Sequence, residues 1–227
     1  MGSSRKKRLP RSLRDAGKEF LQYRSPRVLL SGLALALVYR VIVGDYSWWD
    51  LVPFAVVLAA EPFIEWTVHT AVLHAKPVQV KGRTFDTVVA VDHRAHHADP
   101  RDLPLIFIPF RWVLYLVATL LLIGLAIPDA GLRASWYVAA FGMACLYEWT
   151  HFLIHTDYKP RHQPYRHLYE RHRLHHYRNE QYWFGITNTL GDTVLGTAPA
   201  KEDVPVSPTA KNLHGGVPSA ASATAER

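Results

Sequence analysis

Four apolar stretches, approximately Val28–Val43, Leu51–Leu73, Leu103–Ile127 and Ser135–Ile154, are long and apolar enough to cross a bilayer. They imply a chain that folds largely as membrane helices, with its polar chemistry confined to the connections. The third is the clearest, interrupted only by Arg111 near one end. The first is short and carries Arg40, which predicts a tilt, an extension at its ends or partial placement in the interface. The near-neutral mean hydropathy of the whole chain is no obstacle, because a basic arm, histidine-rich connections and a polar tail dilute it. At 227 residues the chain is expected to hold one domain, flanked by an arm over 1–27 and a tail over 198–227.

Charge fixes an expected topology. Met1–Arg27 holds nine Lys/Arg against two acids, which places the arm in the cytoplasm. Gly44–Asp50 has no Lys or Arg and Pro128–Ala134 only Arg133, as suits the outer side. Five basic residues in Ala75–Asp102 and nine after Ile154 suit the inner side. The result is a multi-pass protein with both termini cytoplasmic. The formal charge of +7 reads as a lipid-facing surface, with Arg5-Lys6-Lys7-Arg8 meeting anionic headgroups, and not as nucleic-acid binding. Arg11–Tyr23 mixes apolar and charged residues and is expected to form a short interfacial helix. No cleavable signal peptide is expected, since the apolar run starts late and no small-residue cleavage pattern follows it. The single cysteine, Cys145, lies within the fourth stretch, which excludes an internal disulfide.

In this topology ten of the thirteen histidines emerge at one cytoplasmic end. They form four clusters: His69/His74, His93/His96/His97, His151/His155 and His172/His175/His176. Residues three and four apart share a helix face, so each H-x-x-H-H and the H-x3-H present several imidazoles toward one point. His69 and His74, five apart, diverge by about 140° on an ideal helix, so one of them is expected where the helix ends or bends. Neutral imidazole is the commonest side-chain metal ligand, and ten exceed what one zinc needs. The pattern predicts a dinuclear site. Histidine-rich iron suits O2 activation and attack on an unactivated C–H bond, with zinc as an alternative occupant of the isolated protein.

Two features refine this. Glu65-Trp66-Thr67-Val68-His69 recurs approximately as Glu148-Trp149-Thr150-His151, each followed by a second histidine, by Lys-Pro and by H-x-x-H-H. Each half then reads as a two-helix hairpin with a histidine-bearing connection, and the whole as an all-α, four-helix membrane bundle under a cytoplasmic helical cap. Glu61, Glu65 and His69 lie four apart on one stripe, and Glu148 lies three before His151. Glu65 and Glu148 are expected to accept the second N–H of liganding imidazoles, while Glu61 either does so or faces a wet cavity.

The motifs themselves carry a resemblance. Glu65–Pro77 (EWTVHTAVLHAKP), His93–Pro109 (HRAHHADPRDLPLIFIP) and Tyr147–Thr197, with YEWTHFLIH and HRLHHYRNEQYWFGITNTLGDTVLGT, are similar to the membrane fatty acid hydroxylase and sterol desaturase superfamily. The details look most like fatty acid 2-hydroxylases, over about residues 50 to 197. The resemblance implies a membrane enzyme that inserts one oxygen atom of O2 beside the carboxyl carbon of an acyl chain, with all ten clustered histidines as ligands of two irons. Tyr147 stands where that subgroup also has tyrosine, and is expected to line the cavity near the metals. Its other reading is an amphipathic anchor at the bundle end.

Some eukaryotic members carry a fused cytochrome b5 domain, and nothing here resembles one. A separate electron-transfer protein of ferredoxin or cytochrome b5 type is therefore expected. Two other functions stay open: a superfamily member acting on a sterol or carotenoid, and a non-catalytic metal-binding or metal-transporting membrane protein. His162 and His167 lie in a basic stretch, Arg161–Arg173, that binds lipid headgroups, caps the site or is simply solvated. His214 lies in a tail expected to be disordered. Trp48-Trp49 read as interfacial anchors.

Overall fold

The computed structural model describes residues 8–213. These are mostly helical, in the order α1 (Leu13–Phe20), α2 (Arg24–Val43), α3 (Leu51–Val68), α4 (Val88–Ala98), α5 (Phe110–Leu125), α6 (Ala130–Ile154), α7 (Gln163–Tyr177) and α8 (Leu190–Val194). The departure from an all-α chain is a hairpin between α3 and α4, in which β1 (Val78–Val80) pairs antiparallel with β2 (Arg83–Phe85). Its two-residue turn has positive φ at both Lys81 and Gly82, the left-handed pair that matches the twist of two short strands.

Among the described residues, three helical segments are long and apolar enough to cross a membrane: Arg24–Val43, Trp48–Leu73 and Leu103–Leu125. The fourth expected span, Ser135–Ile154, is not among them. It forms most of α6, which at 25 residues has the length but carries Glu148, Thr150 and His151 near its end. Its company accommodates these polar groups. The α6 helix packs against α2, α3 and α5. Thirteen of its residues are buried against two in α5, so its polar groups meet protein and not lipid. Val41, Ile42, Leu122 and Leu125 on the surrounding helices are instead 66 to 75% exposed, as befits faces turned to acyl chains.

Arg40 is accommodated by pairing. The α2 helix extends back to Arg24, and the Arg40 guanidinium meets the Asp50 carboxylate at 2.5 Å. The other Asp50 oxygen accepts from the Ser135 hydroxyl at 2.8 Å, which ties α2, the start of α3 and α6 together at one end. At the other end, α1 is capped by Ser12 and packs on protein. Phe20 meets Trp149 edge-on at 5.1 Å and Tyr23 stacks on Phe107 at 4.2 Å, so the segment expected in the interface covers the end of α6. Arg5, Lys6 and Lys7 lie outside the described residues.

Residues 198–213 do not show the disorder expected of the tail. Residues 198–213 are placed, with Val204, Ala210 and Leu213 buried. Three small anchors among polar neighbours leave little hydrophobic signal. Residues 214–227, and His214 with them, lie outside the described part.

Candidate metal centre

All ten clustered histidines converge. They divide into two groups, His69, His74, His93, His97 and His175, and His96, His151, His155, His172 and His176. Within each group, one nitrogen per ring lies within 4.8 Å of all the others. The division follows the repeat: each group takes four histidines from one half and one from the other. In each H-x-x-H-H the residues at i and i+4 stay with their own half. The one at i+3, His96 or His175, crosses over.

His69 and His74 join one group because the helix changes pitch between them. Beyond Val68 the chain makes a π-helical turn over His69–Leu73, and the His74 N–H donates to the His69 carbonyl at 3.1 Å. This i to i+5 turn brings residues five apart onto one face, and the two ring centroids lie 5.1 Å apart.

The second ring nitrogens reveal the tautomers. A carbonyl oxygen only accepts, so a ring nitrogen bonded to one carries the proton. His69 Nδ1 lies 2.7 Å from Phe184 O, His97 Nδ1 2.9 Å from Ala210 O and His175 Nδ1 2.8 Å from Tyr182 O. The Nε2 atoms of these rings therefore carry bare lone pairs. Yet His97 Nε2 and His175 Nε2 face each other at 3.2 Å. Two lone pairs at that distance cannot hydrogen-bond, whereas two nitrogens on one cation at about 2.1 Å each stand about 3 Å apart. The donor set fits a metal ion. In the second group His96, His155, His172 and His176 make Nε2 contacts of 3.0 to 3.2 Å. Burial keeps the imidazoles on α4 and α7 neutral, pushing His97 down to about 4 and His93, His96, His172, His175 and His176 well below their ordinary value.

Main-chain groups orient His69, His97, His151 and His175, where Glu65 and Glu148 were expected to orient the rings of their own helices. The stripe Glu61, Glu65, His69 instead grips the segment 184–188 residue by residue. Asn188 donates to Glu61 at 2.6 Å, the Thr187 hydroxyl reaches both carboxylates at 2.5 Å, the Ile186 N–H donates to Glu65, and Phe184 accepts from His69. Glu61 thus has protein partners as well as a place in a cavity wall. The other half repeats the scheme: His151 bonds the main chain of Ile106, and the Ile108 N–H donates to Glu148 at 3.1 Å. Each glutamate holds a loop that presents a hydrogen-bonding group to the histidine of its own helix. The loop following one H-x-x-H-H serves the helix of the opposite half.

Asp192, not singled out in the sequence, holds the 184–188 loop from behind, accepting from the N–H groups of Phe184 at 2.9 Å and Gly185 at 2.8 Å. Beside it α8 sits directly on α3, where a Cβ on Gly191 would stand 2.4 Å from the Pro62 carbonyl oxygen. Thr197 donates to Asp192 at 2.6 Å and accepts from the Trp66 indole at 2.9 Å. The motif FGITNTLGDTVLGT contains all of these contacts. Its signal was present as a resemblance, without a physical reason attached.

Two apolar cavities lead to the histidines. One of about 260 Å³ runs between α3, α5 and α6, from Val56 and Trp136 to His69 and Tyr147. The second, about 350 Å³, is walled by Val72, Phe107 and Trp112 and reaches His93 and His151. Tyr147 lines both, with its ring 6.1 Å from that of His151. His162 and His167 are exposed and belong to neither histidine group.

Comparison with known proteins adds an independent finding. Residues 54–197 match the family model described as fatty acid hydroxylase. Dihydroceramide fatty acyl 2-hydroxylase FAH2 of Arabidopsis thaliana is 32% identical over 137 residues, which is 60% of this chain and 56% of that protein. Dihydroceramide fatty acyl 2-hydroxylase FAH1 of the same plant is 31% identical over 156 residues, 66% of this chain and 62% of its own length. The chain thus spans less than two thirds of these relatives. Among solved structures, full-length scs7p, with only its hydroxylase domain visible, shares the fold with a TM-score of 0.58 at 24% identity, covering 80% of this chain and 66% of that one.

Proposed function

The chain belongs to the fatty acid hydroxylase family, and from that premise we propose that it is a membrane lipid hydroxylase that uses two iron ions and O2 to hydroxylate C2 of a fatty acid or acyl lipid. The observation that carries this reading is the pair of five-histidine groups at the end of an apolar cavity. Iron held by His69, His74, His93, His97 and His175, and by His96, His151, His155, His172 and His176, would supply reductive activation of O2 and attack on the C–H bond.

The chain's own residues do the rest. The cavity along α3 takes the acyl chain, each buried methylene contributing about 0.8 kcal/mol, and excludes water from the reacting end. The carboxyl end then lies beside Tyr147, whose place on both cavities suits a group that positions C2. The acyl-chain reading is favoured over a sterol or carotenoid because both named relatives are fatty acyl 2-hydroxylases. A transporter is disfavoured because the histidines gather at one end and do not line a path through the membrane.

In this reading α2, α3, α5 and α6 form a four-helix membrane bundle, and α4 and α7 form a cytoplasmic cap between cytoplasmic termini. Residues 28–197 are the hydroxylase domain, and electrons arrive from a separate ferredoxin or cytochrome b5-type protein. The test is to supply the iron-loaded, detergent-solubilised chain with O2, a reductant and an acyl lipid, beside His172→Ala. A 2-hydroxyacyl product from the intact chain alone supports the proposal. Its absence despite bound iron and reduced centres rejects it.

A further inference from the structure

We infer that residues 198–213, which follow the family-matched region, form a strap that positions His97 for metal binding through the carbonyl of Ala210. The first histidine group then needs the strap to hold its ion tightly. This rests on the metal reading above.

The strap joins the two halves at the point where the first group is assembled. His97 stands on α4, and its Nδ1–H is given to Ala210 O at 2.9 Å, a partner 113 positions further along. Both residues are buried. His97 is central to its group, with Nε2 at 3.2 Å from Nε2 of both His93 and His175. A ring free to turn about χ2 takes this nitrogen away from both neighbours.

The anchors of the strap lie just beyond His175 and His176. Arg178 Nε donates to Val204 O at 2.7 Å, the Ser207 N–H to Arg178 O at 2.7 Å, and the Thr209 hydroxyl to Glu180 at 2.5 Å. The Lys211 ammonium lies 5.1 Å over the Tyr177 ring. The end of α7, which carries His175, therefore sets where Ala210 stands, and Ala210 sets the plane of His97. In the second group no ring is held by residues 198–213, and the ring bonded to the main chain, His151, uses Ile106. Nδ1 of His96, His172 and His176 is buried without a hydrogen-bond partner among the described residues. Loss of the strap should weaken one ion and spare the other.

The experiment is chelator competition on the detergent-solubilised full chain loaded with Zn2+, reading zinc per chain by elemental analysis. It is repeated on a chain ended after Val206, on Thr209→Val, and on a chain ended after Leu213. Removing an outer hydrogen bond of this kind lowers metal affinity about 10- to 100-fold. The Val206-ended chain should lose one equivalent at about 10- to 100-fold less chelator while the other follows the intact curve. Thr209→Val should shift the same equivalent by less, and the Leu213-ended chain should match the intact one. Unchanged release from both the Val206-ended chain and Thr209→Val, or release of both ions together, overturns the inference. Where the Val206-ended chain does not fold, Thr209→Val decides alone. An intact chain that binds no zinc rejects the metal reading itself.

Discussion

His97 Nε2 and His175 Nε2 face each other at 3.2 Å with no proton between them, because each ring has given its Nδ1–H to a main-chain carbonyl. Opposed lone pairs repel, and only the scaffold holds this buried pair together. A cation between them turns repulsion into two bonds. Removing metal should therefore lower the unfolding temperature in detergent, and restoring it at a hundredfold excess over Kd should return about 2.7 kcal/mol per ion. Thermal unfolding with and without chelator checks this, and an unchanged temperature contradicts it.

Acid should release the metal. Burial holds His97 at about 4, against 6.5 for an ordinary histidine. The folded value is the lower one, so the stability is fully present above pH 6.5. As pH falls from there toward 4, the unfolded chain takes up protons that the folded site refuses. This imidazole costs the fold about 1.4 kcal/mol per pH unit in that window. Metal content measured against pH should fall between those values, and a flat profile down to pH 4 opposes the account.

Glu65→Ala should act on the metal through the loop it holds. It strands the buried N–H of Ile186, at about 1 to 3 kcal/mol for a buried donor left unpaired, and removes the partner of the part-buried Thr187 N–H. It also frees the Phe184 carbonyl that orients His69. The variant should unfold at lower temperature and retain less metal in the first group, whereas Glu148→Ala should affect the second. Metal affinities of the two variants check the assignment. Equal effects on both ions would contradict it.

Ala60→Phe tests the acyl slot. Ala60 lines the cavity along α3, away from the histidines. A ring there shortens the space without touching a ligand, so metal content should persist while the product profile moves to shorter chains. An unchanged profile would place the acyl chain elsewhere.

Much of this site was legible in the sequence because helical periodicity is. The spacings of His93/His96/His97 and His172/His175/His176 identify convergent faces, and the five-residue gap from His69 to His74 signals a departure from α geometry, met here by the π-helical turn. The division into two groups was hidden, since nothing in H-x-x-H-H says that its i+3 member serves the opposite half. The carbonyls of Phe184, Tyr182 and Ala210 were hidden for a plainer reason: every residue has one, and only the fold selects which are used. Ser135–Ile154 was the hardest span to judge, because α6 has the length of a membrane helix but carries Glu148, Thr150 and His151, which its packing against protein accommodates. The tail misled because Val204, Ala210 and Leu213 are too few to stand out by composition.

The most direct test of the central claim is growth of a host expressing the chain under 18O2, followed by mass spectrometry of its hydrolysed lipids, beside the same host expressing His176→Ala. New 2-hydroxy fatty acids are expected that carry 18O in the added hydroxyl and vanish in the variant. Unchanged acyl chains from a host whose protein is expressed, iron-loaded and supplied with a working electron donor would contradict it.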